Sequence, residues 1–293
     1  LLDIDQEIFI TLINEQFKGK ERLIEPNVRA LEMGFNYAQS NLQDQCDIKI
    51  KNSNLTDGMI LTNGNNAGGL GCVYGGASVC AWYPITPSTS LAEAYKKYSE
   101  EFRVDKSTGK NNYAIVQAED ELAAVGMAIG ANWNGARAFT ATSGPGISLM
   151  NEFVGLAYFA EIPVVIFDIQ RGGPSTGMPT RTQQSDILTC AYASHGDTKH
   201  VLLIPADPKE CFEFAAESFD IADRLQTPIF ILSDLDIGMN DWTCPAFEWD
   251  DSKKFDRGKV LSKEDIDNME SFGRYLDVDG DGIPYRTLPG THP

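Results

Sequence analysis

Glu119, the run Thr142-Ser-Gly-Pro-Gly146 and Arg171 punctuate one apolar stretch, Ala114–Gly173. A carboxyl can hold or move a proton, and a guanidinium can fix an anion. A glycine-rich turn lets the backbone come close to a ligand. Each of these groups directly follows an apolar run: AIVQA, RAFTAT or IPVVIFDI. These runs read as buried parallel strands, with Ala/Gly-rich helices between them. In an open α/β sheet, ligands bind beyond the carboxyl ends of the strands. Glu119, Ser143–Gly146 and Arg171 are therefore expected on one rim.

The flanking chain extends this βα rhythm. Met59–Thr62 reads as a short strand and opens a glycine-rich helix that starts at Asn63-Gly-Asn-Asn and runs to Ser78. That run lacks G-x-G-x-x-G in the right form, so a Rossmann dinucleotide site is not indicated. Ala81-Trp-Tyr-Pro-Ile-Thr-Pro-Ser follows, a strand end running into a helix that Pro87 and Ser88 begin. Thr86 and Ser88 stand at that helix N-terminus, where unpaired N–H groups favour an anion. The loop from Pro174 to Gln184 is long for a plain connection, and loops of that kind at a strand's carboxyl end carry function. HVLLIPA, DPKECFEFAAESFDIADRL and TPIFILSDL then read as strand, amphipathic helix and strand, with Asp207 as N-cap and Pro208 at the first helical position.

The expected organisation has four parts. Residues 1–40 are the C-terminal helices of a preceding domain, 41–57 a polar linker, 58–236 the α/β domain, and 237–293 an irregular, acidic linker and the start of a following domain. The chain opens without Met and ends on LPGTHP, and reads as a piece of a longer polypeptide.

Composition narrows the partners. The formal charge is −18, which opposes nucleic acid and anionic membranes. The same acidity is also a feature of soluble or salt-adapted surfaces. No signal peptide or apolar run of membrane-spanning length is visible. Cys46, Cys72, Cys80, Cys190, Cys211 and Cys244 form no C-x-x-C pair and stand near no histidine at ligand spacing. No metal ligands are therefore expected on this chain, and the thiols point to a reducing, cytoplasmic compartment. His195, His200 and His292 form no cluster. Asp277-Val-Asp-Gly-Asp-Gly starts like a calcium loop, but its twelfth position is Leu288, so an acidic turn is the favoured reading.

Glu119 alone is an acid at a helix N-terminus, where it offsets the macrodipole. The ordered string is more specific: Glu119, a small-residue helix, TSGPG, Asn151, Gly155, then Pro163-Val-Val. It resembles the pyrimidine-binding domain of thiamine diphosphate enzymes. With GN-x-A, YPITPS and QRGGPSTGMPT added, Gly58–Asp236 resembles the alpha subunit of 2-oxoacid:ferredoxin oxidoreductases, of a type fused behind a gamma domain. One departure is Asn66, where that family often has Glu.

The resemblance implies an α/β, parallel-sheet fold and a set of roles. Glu119 would hydrogen-bond N1′ of the aminopyrimidine. A carboxyl there favours the 4′-imino form, the base that takes the thiazolium C2 proton. Pro84, Ile85, Ser143 and Gly144 would line the cofactor with Glu119, while Thr86 and Arg171 would hold the 2-oxoacid carboxylate. The implied reaction is coenzyme A-dependent oxidative decarboxylation, with 2-oxoglutarate favoured over pyruvate and branched-chain oxoacids. A beta subunit would supply the diphosphate site, Mg2+ and a [4Fe–4S] cluster, with ferredoxin as acceptor. The alternatives are a non-oxidative thiamine enzyme, against which YPITPS and QRGGPSTG speak, and a non-catalytic scaffold.

Overall fold

A computed structural model describes residues 2, 4–42, 48–51, 53–174 and 177–291. Cys46 and His292 lie outside the described residues. The chain forms two compact units, residues 1–57 and 58–293.

In the first unit, α1 (Gln6–Gln16) starts at Asp5, whose carboxylate accepts from the Glu7 amide at 3.0 Å. A 3-10 turn at Glu21–Leu23 leads into α2 (Ile24–Asn41). Neither helix has a buried residue, and Ile8, Leu12, Met33 and Tyr37 are exposed.

The second unit runs β1 (Met59–Thr62), α3 (Gly64–Tyr74), β2 (Val79–Trp82), α4 (Thr89–Phe102), β3 (Ala114–Gln117), α5 (Glu121–Trp133), β4 (Ala138–Thr142), α6 (Gly144–Phe159) and β5 (Val164–Gln170). It continues through α7 (Ile187–Ala191), β6 (Val201–Leu203), α8 (Pro208–Leu225), β7 (Pro228–Asp234), α9 (Leu235–Met239), β8 (Trp242–Pro245) and α10 (Lys263–Asp267). Six strands form an all-parallel sheet in the order β3-β2-β4-β5-β7-β6. One face packs Leu91, Tyr95, Phe139, Phe167 and Phe219 under α3, α4 and α8. The other packs Val125, Ile147, Met150, Ile166 and Phe230 under α5 and α6. This is the α/β, parallel-sheet architecture that the sequence implies. Among the described residues, no helix is long and apolar enough to cross a membrane.

Two expectations change, for β3 and β1. β4 and β5 are buried at every position, but β3 is not, because it is the sheet's edge and pairs with β2 alone. β1 lies outside the parallel sheet and pairs antiparallel with β8. Residues 237–293 belong to the same compact unit as 58–236. They are held there by a charge cluster on α8. Asp223 is buried and meets Arg137 at 3.0 Å, Arg257 at 2.9 Å and Arg286 at 2.8 Å. The Phe255 ring covers the Arg137 guanidinium.

The acidic turn has its own cation. Lys259 Nζ donates to Asp279 at 2.7 Å, Asp281 at 2.7 Å and the Ile283 carbonyl at 2.9 Å. Asp277 accepts from the Gly280 and Gly282 amides. The turn is thus closed by side chains and amides of this chain.

Candidate functional site

Strand order places the rim. β2 lies between β3 and β4, so the chain leaves it in one direction and returns on the other side. Such a switch point, outside the carboxyl ends, is where open α/β sheets bind ligands. The loops after β3, β2, β4 and β5 carry Glu119, Thr86, Ser143 and Arg171, in that spatial order. The fold thus brings the sequence-predicted residues to one rim from four adjacent strands.

Arg171 is buried, and its Nη1 donates to the Thr86 carbonyl at 2.6 Å. This bond ties the turn after β2 to the end of β5. Pro84 and Thr86 are exposed and Ile85 is half-buried, so this turn faces outward. Ser88 does not: it is buried, and its hydroxyl donates to the Ile85 carbonyl at 3.0 Å. It braces the turn and is not offered to an anion.

Ser143 starts α6 without a side-chain capping bond, and its buried Oγ has no hydrogen-bond partner in the structure. The next residues have no room for a side chain. A Cβ on Gly144 would lie 2.5 Å from the Asp186 carboxylate, and one on Gly146 would strike Thr142 Oγ1. Gly-Pro-Gly here is a close-approach device for the start of α6.

Glu119 is exposed, beside the edge strand. The cap of α5 is its neighbour Asp120, which accepts from the Ala123 amide at 2.6 Å. Glu119 therefore has no capping duty, and the sequence's plain explanation for it falls to Asp120.

Sequence reasoning missed three supports. Asn65 is buried and donates to the Pro87 carbonyl at 2.9 Å and to Ser90 Oγ at 2.8 Å, holding the Thr86 turn from below. Its signal was GN-x-A, from which no role was drawn. Gln170 is buried and accepts from the Asp186 amide at 3.1 Å, while its Nε2 donates to the Ser233 carbonyl at 3.2 Å. Asp168 is fully buried and receives the Cys190 thiol at 3.6 Å. Burial first, and then the nearby Asp186, push its carboxyl well above the usual range. Burial also raises Asp186 and, with those two acids, the Cys190 thiol. Nothing local in the sequence distinguishes an Asp inside an apolar strand from one outside it.

The geometry has clear relatives. Residues 70–271 match the family described as pyruvate flavodoxin/ferredoxin oxidoreductase, thiamine diphosphate-binding. A 2-oxoacid:ferredoxin oxidoreductase subunit alpha of Aeropyrum pernix is 37% identical over 301 residues, covering 99% of this chain and 46% of that protein. A 2-oxoglutarate oxidoreductase subunit KorA of Mycobacterium tuberculosis is 38% identical over 242 residues, covering 80% and 35%. A solved 2-oxoglutarate:ferredoxin oxidoreductase from Magnetococcus marinus, with 2-oxoglutarate, coenzyme A and succinyl-CoA bound, superposes with a TM-score of 0.83 at 30% identity. It matches 99% of this chain and 48% of its own. The chain thus spans about half the length, or less, of these relatives.

Proposed function

We propose, for a chain that belongs to the thiamine diphosphate-binding family of pyruvate flavodoxin/ferredoxin oxidoreductases, that it forms the pyrimidine-side half of a 2-oxoacid:ferredoxin oxidoreductase. The reaction is a 2-oxoacid and coenzyme A going to acyl-CoA and carbon dioxide, with electrons passing to ferredoxin. 2-Oxoglutarate is the favoured substrate, as named for the Magnetococcus and Mycobacterium relatives. The observation that carries the reading is the buried Arg171 bonded to the Thr86 turn, beside the Ser143–Gly146 loop.

The residues present fit thiamine diphosphate. The partnerless Ser143 hydroxyl, the side-chain-free approach at Gly144 and Gly146, and a carboxyl without a structural task at Glu119 suit a planar ring with polar edges. Pro84, Ile85, Ser143 and Gly144 would line that ring, and Glu119 would share a proton at its N1′. When bound, the cofactor supplies the carbon nucleophile for the keto group and the electron sink for decarboxylation. Arg171 and the Thr86 hydroxyl fix the carboxylate of the substrate; a guanidinium held from behind by a carbonyl loses little freedom on binding.

Glu119 sits at an open edge, and water there weakens any hydrogen bond it makes. A beta subunit that carries the diphosphate, Mg2+ and [4Fe–4S] sites is the partner that would cover it. The test is viologen reduction by the purified native complex, given 2-oxoglutarate, pyruvate or 2-oxoisovalerate, with and without coenzyme A. Reduction that needs both an oxoacid and coenzyme A supports the reading. A complex that holds thiamine diphosphate and clusters yet reduces the dye with none of the three acids contradicts it.

A further inference from the structure

The strand-end loops of the parallel sheet are poor in positive charge. They comprise residues 83–88, 118–120, 143, 171–186 and 204–207, with α9 following β7 directly. Among them stand only two cationic side chains, Arg171 and Arg181. Both lie on the loop after β5, and its backbone brings them together. The Gly172 amide donates to the Arg181 carbonyl at 2.7 Å, so the chain on either side of residues 173–180 runs back alongside Arg171. The far end of the loop is tied down by Gln184, which donates to Asp234 at 2.6 Å.

The two arginines differ in state. Arg171 is buried and engaged with the Thr86 carbonyl. Arg181 is exposed, and its guanidinium has no hydrogen-bond or ion-pair partner among the described residues. Three acids of the same rim already serve helix N-termini. Asp120, Asp207 and Asp234 cap α5, α8 and α9, and Asp186 lies over Gly144. In a chain of formal charge −18, an unpaired guanidinium beside the substrate loop is a local reversal of field. One cation fixes one carboxylate; a second, standing apart from it on the same loop, suits a second carboxylate on the same molecule.

We infer that Arg181 is a specificity-determining residue: it takes the distal carboxylate of a dicarboxylic 2-oxoacid whose first carboxylate rests on Arg171. This rests on reading the rim as a 2-oxoacid site. The assignment selects a dianion over a monoanion of equal length, because only the dianion brings a carboxylate to pair with this guanidinium.

The experiment compares 2-oxoglutarate with 2-oxopentanoate, which has the same chain length and no distal carboxylate. Wild-type, Arg181→Met and Arg181→Lys complexes are assayed by viologen reduction at saturating coenzyme A, each acid being tested as an inhibitor where it is not turned over. The expected result is that Arg181→Met lowers the preference for 2-oxoglutarate over 2-oxopentanoate by about 100-fold, and that Arg181→Lys recovers part of it. The proposal is overturned if the preference is unchanged in Arg181→Met or if the wild type prefers 2-oxopentanoate. A wild-type complex that is active with neither acid and with no other 2-oxoacid overturns the reaction assignment itself, which the variants alone do not do.

Discussion

Arg171 and Glu119 stand on the same rim in opposite states. Arg171 leaves the central strand β5, is 5% exposed, and is engaged with the Thr86 carbonyl at 2.6 Å. Glu119 leaves the edge strand β3 and faces solvent, and the adjacent Asp120 does the capping. The carboxylate-holding end of the proposed site is assembled within this chain. The proton-handling end is placed by the chain but left open. An open end is what a shared site requires: the group that must work in a dry environment waits for the surface that dries it.

The comparison breaks most sharply at Glu119. Glu119→Ala is expected to lower turnover of the native complex by about 1000-fold or more, the range for a lost acid–base group. Assembly, followed by gel filtration, should be unchanged, because the Glu119 side chain makes no hydrogen bond or ion pair among the described residues. Turnover near wild type would end the proposed role.

The far end of the sheet is the control. Asp223 pairs with none of the described rim residues but carries three arginines, two of which come from the segment after β8. Asp223→Ala leaves the buried Arg286 guanidinium without its carboxylate, while Arg137 keeps Asp220 at 2.7 Å, and should cost about 3–5 kcal/mol. A denaturant midpoint that does not move would show that residues 255–286 are held by something else. A rim variant and this one should therefore separate cleanly, one in rate and one in stability.

Arg171→Lys sharpens the other end. An ammonium keeps the charge but not the planar fork, and it cannot serve the Thr86 carbonyl and a carboxylate as a guanidinium does. The expected fall in kcat/KM for the 2-oxoacid is about 100-fold, chiefly through KM. A fall in kcat alone, with KM unmoved, would place Arg171 away from the ground-state carboxylate.

The smallest effect lies beneath the rim. Burial holds the Asp168 carboxyl well above the ordinary range, with Asp186 adding to it. The native state thus keeps a proton that the unfolded chain releases. Stability from this site is full below the ordinary aspartate pKa and falls as pH rises towards the raised value. Asp168→Asn mimics the neutral acid. It should melt above the wild type at pH 8 by a few degrees, on the order of 2–4 °C, and show no gain near pH 4. Equal melting at both values would mean that Asp168 is ionised in the fold.

Much of this arrangement was legible in the sequence. The runs RAFTAT and IPVVIFDI are continuous and apolar because they form central strands, buried on both faces. Asp207-Pro208 predicts its N-cap because the bond is local, Asp207 accepting from the Glu210 amide at 2.9 Å. The groups after the strands could be assigned to one rim because parallel strands point their carboxyl ends the same way. What stayed hidden depends on distant partners. β1 reads like any short strand, and its pairing with β8 rests on residues on the far side of the whole parallel sheet in sequence. AIVQA looks as apolar as a central strand, yet its neighbour on one side is missing. The Lys259 cation in the acidic turn, and Asn65 beneath the Thr86 turn, are likewise long-range contacts without a local pattern.

The most direct test of the account is hydrogen–deuterium exchange at C2 of thiamine diphosphate bound to the native complex, measured by acid quench and NMR. Wild type is compared with Glu119→Ala at equal cofactor occupancy. The account predicts exchange slowed by about 100-fold or more in the variant, since the carboxyl that sets the aminopyrimidine's proton is gone. Exchange at the wild-type rate with the cofactor fully bound would contradict it.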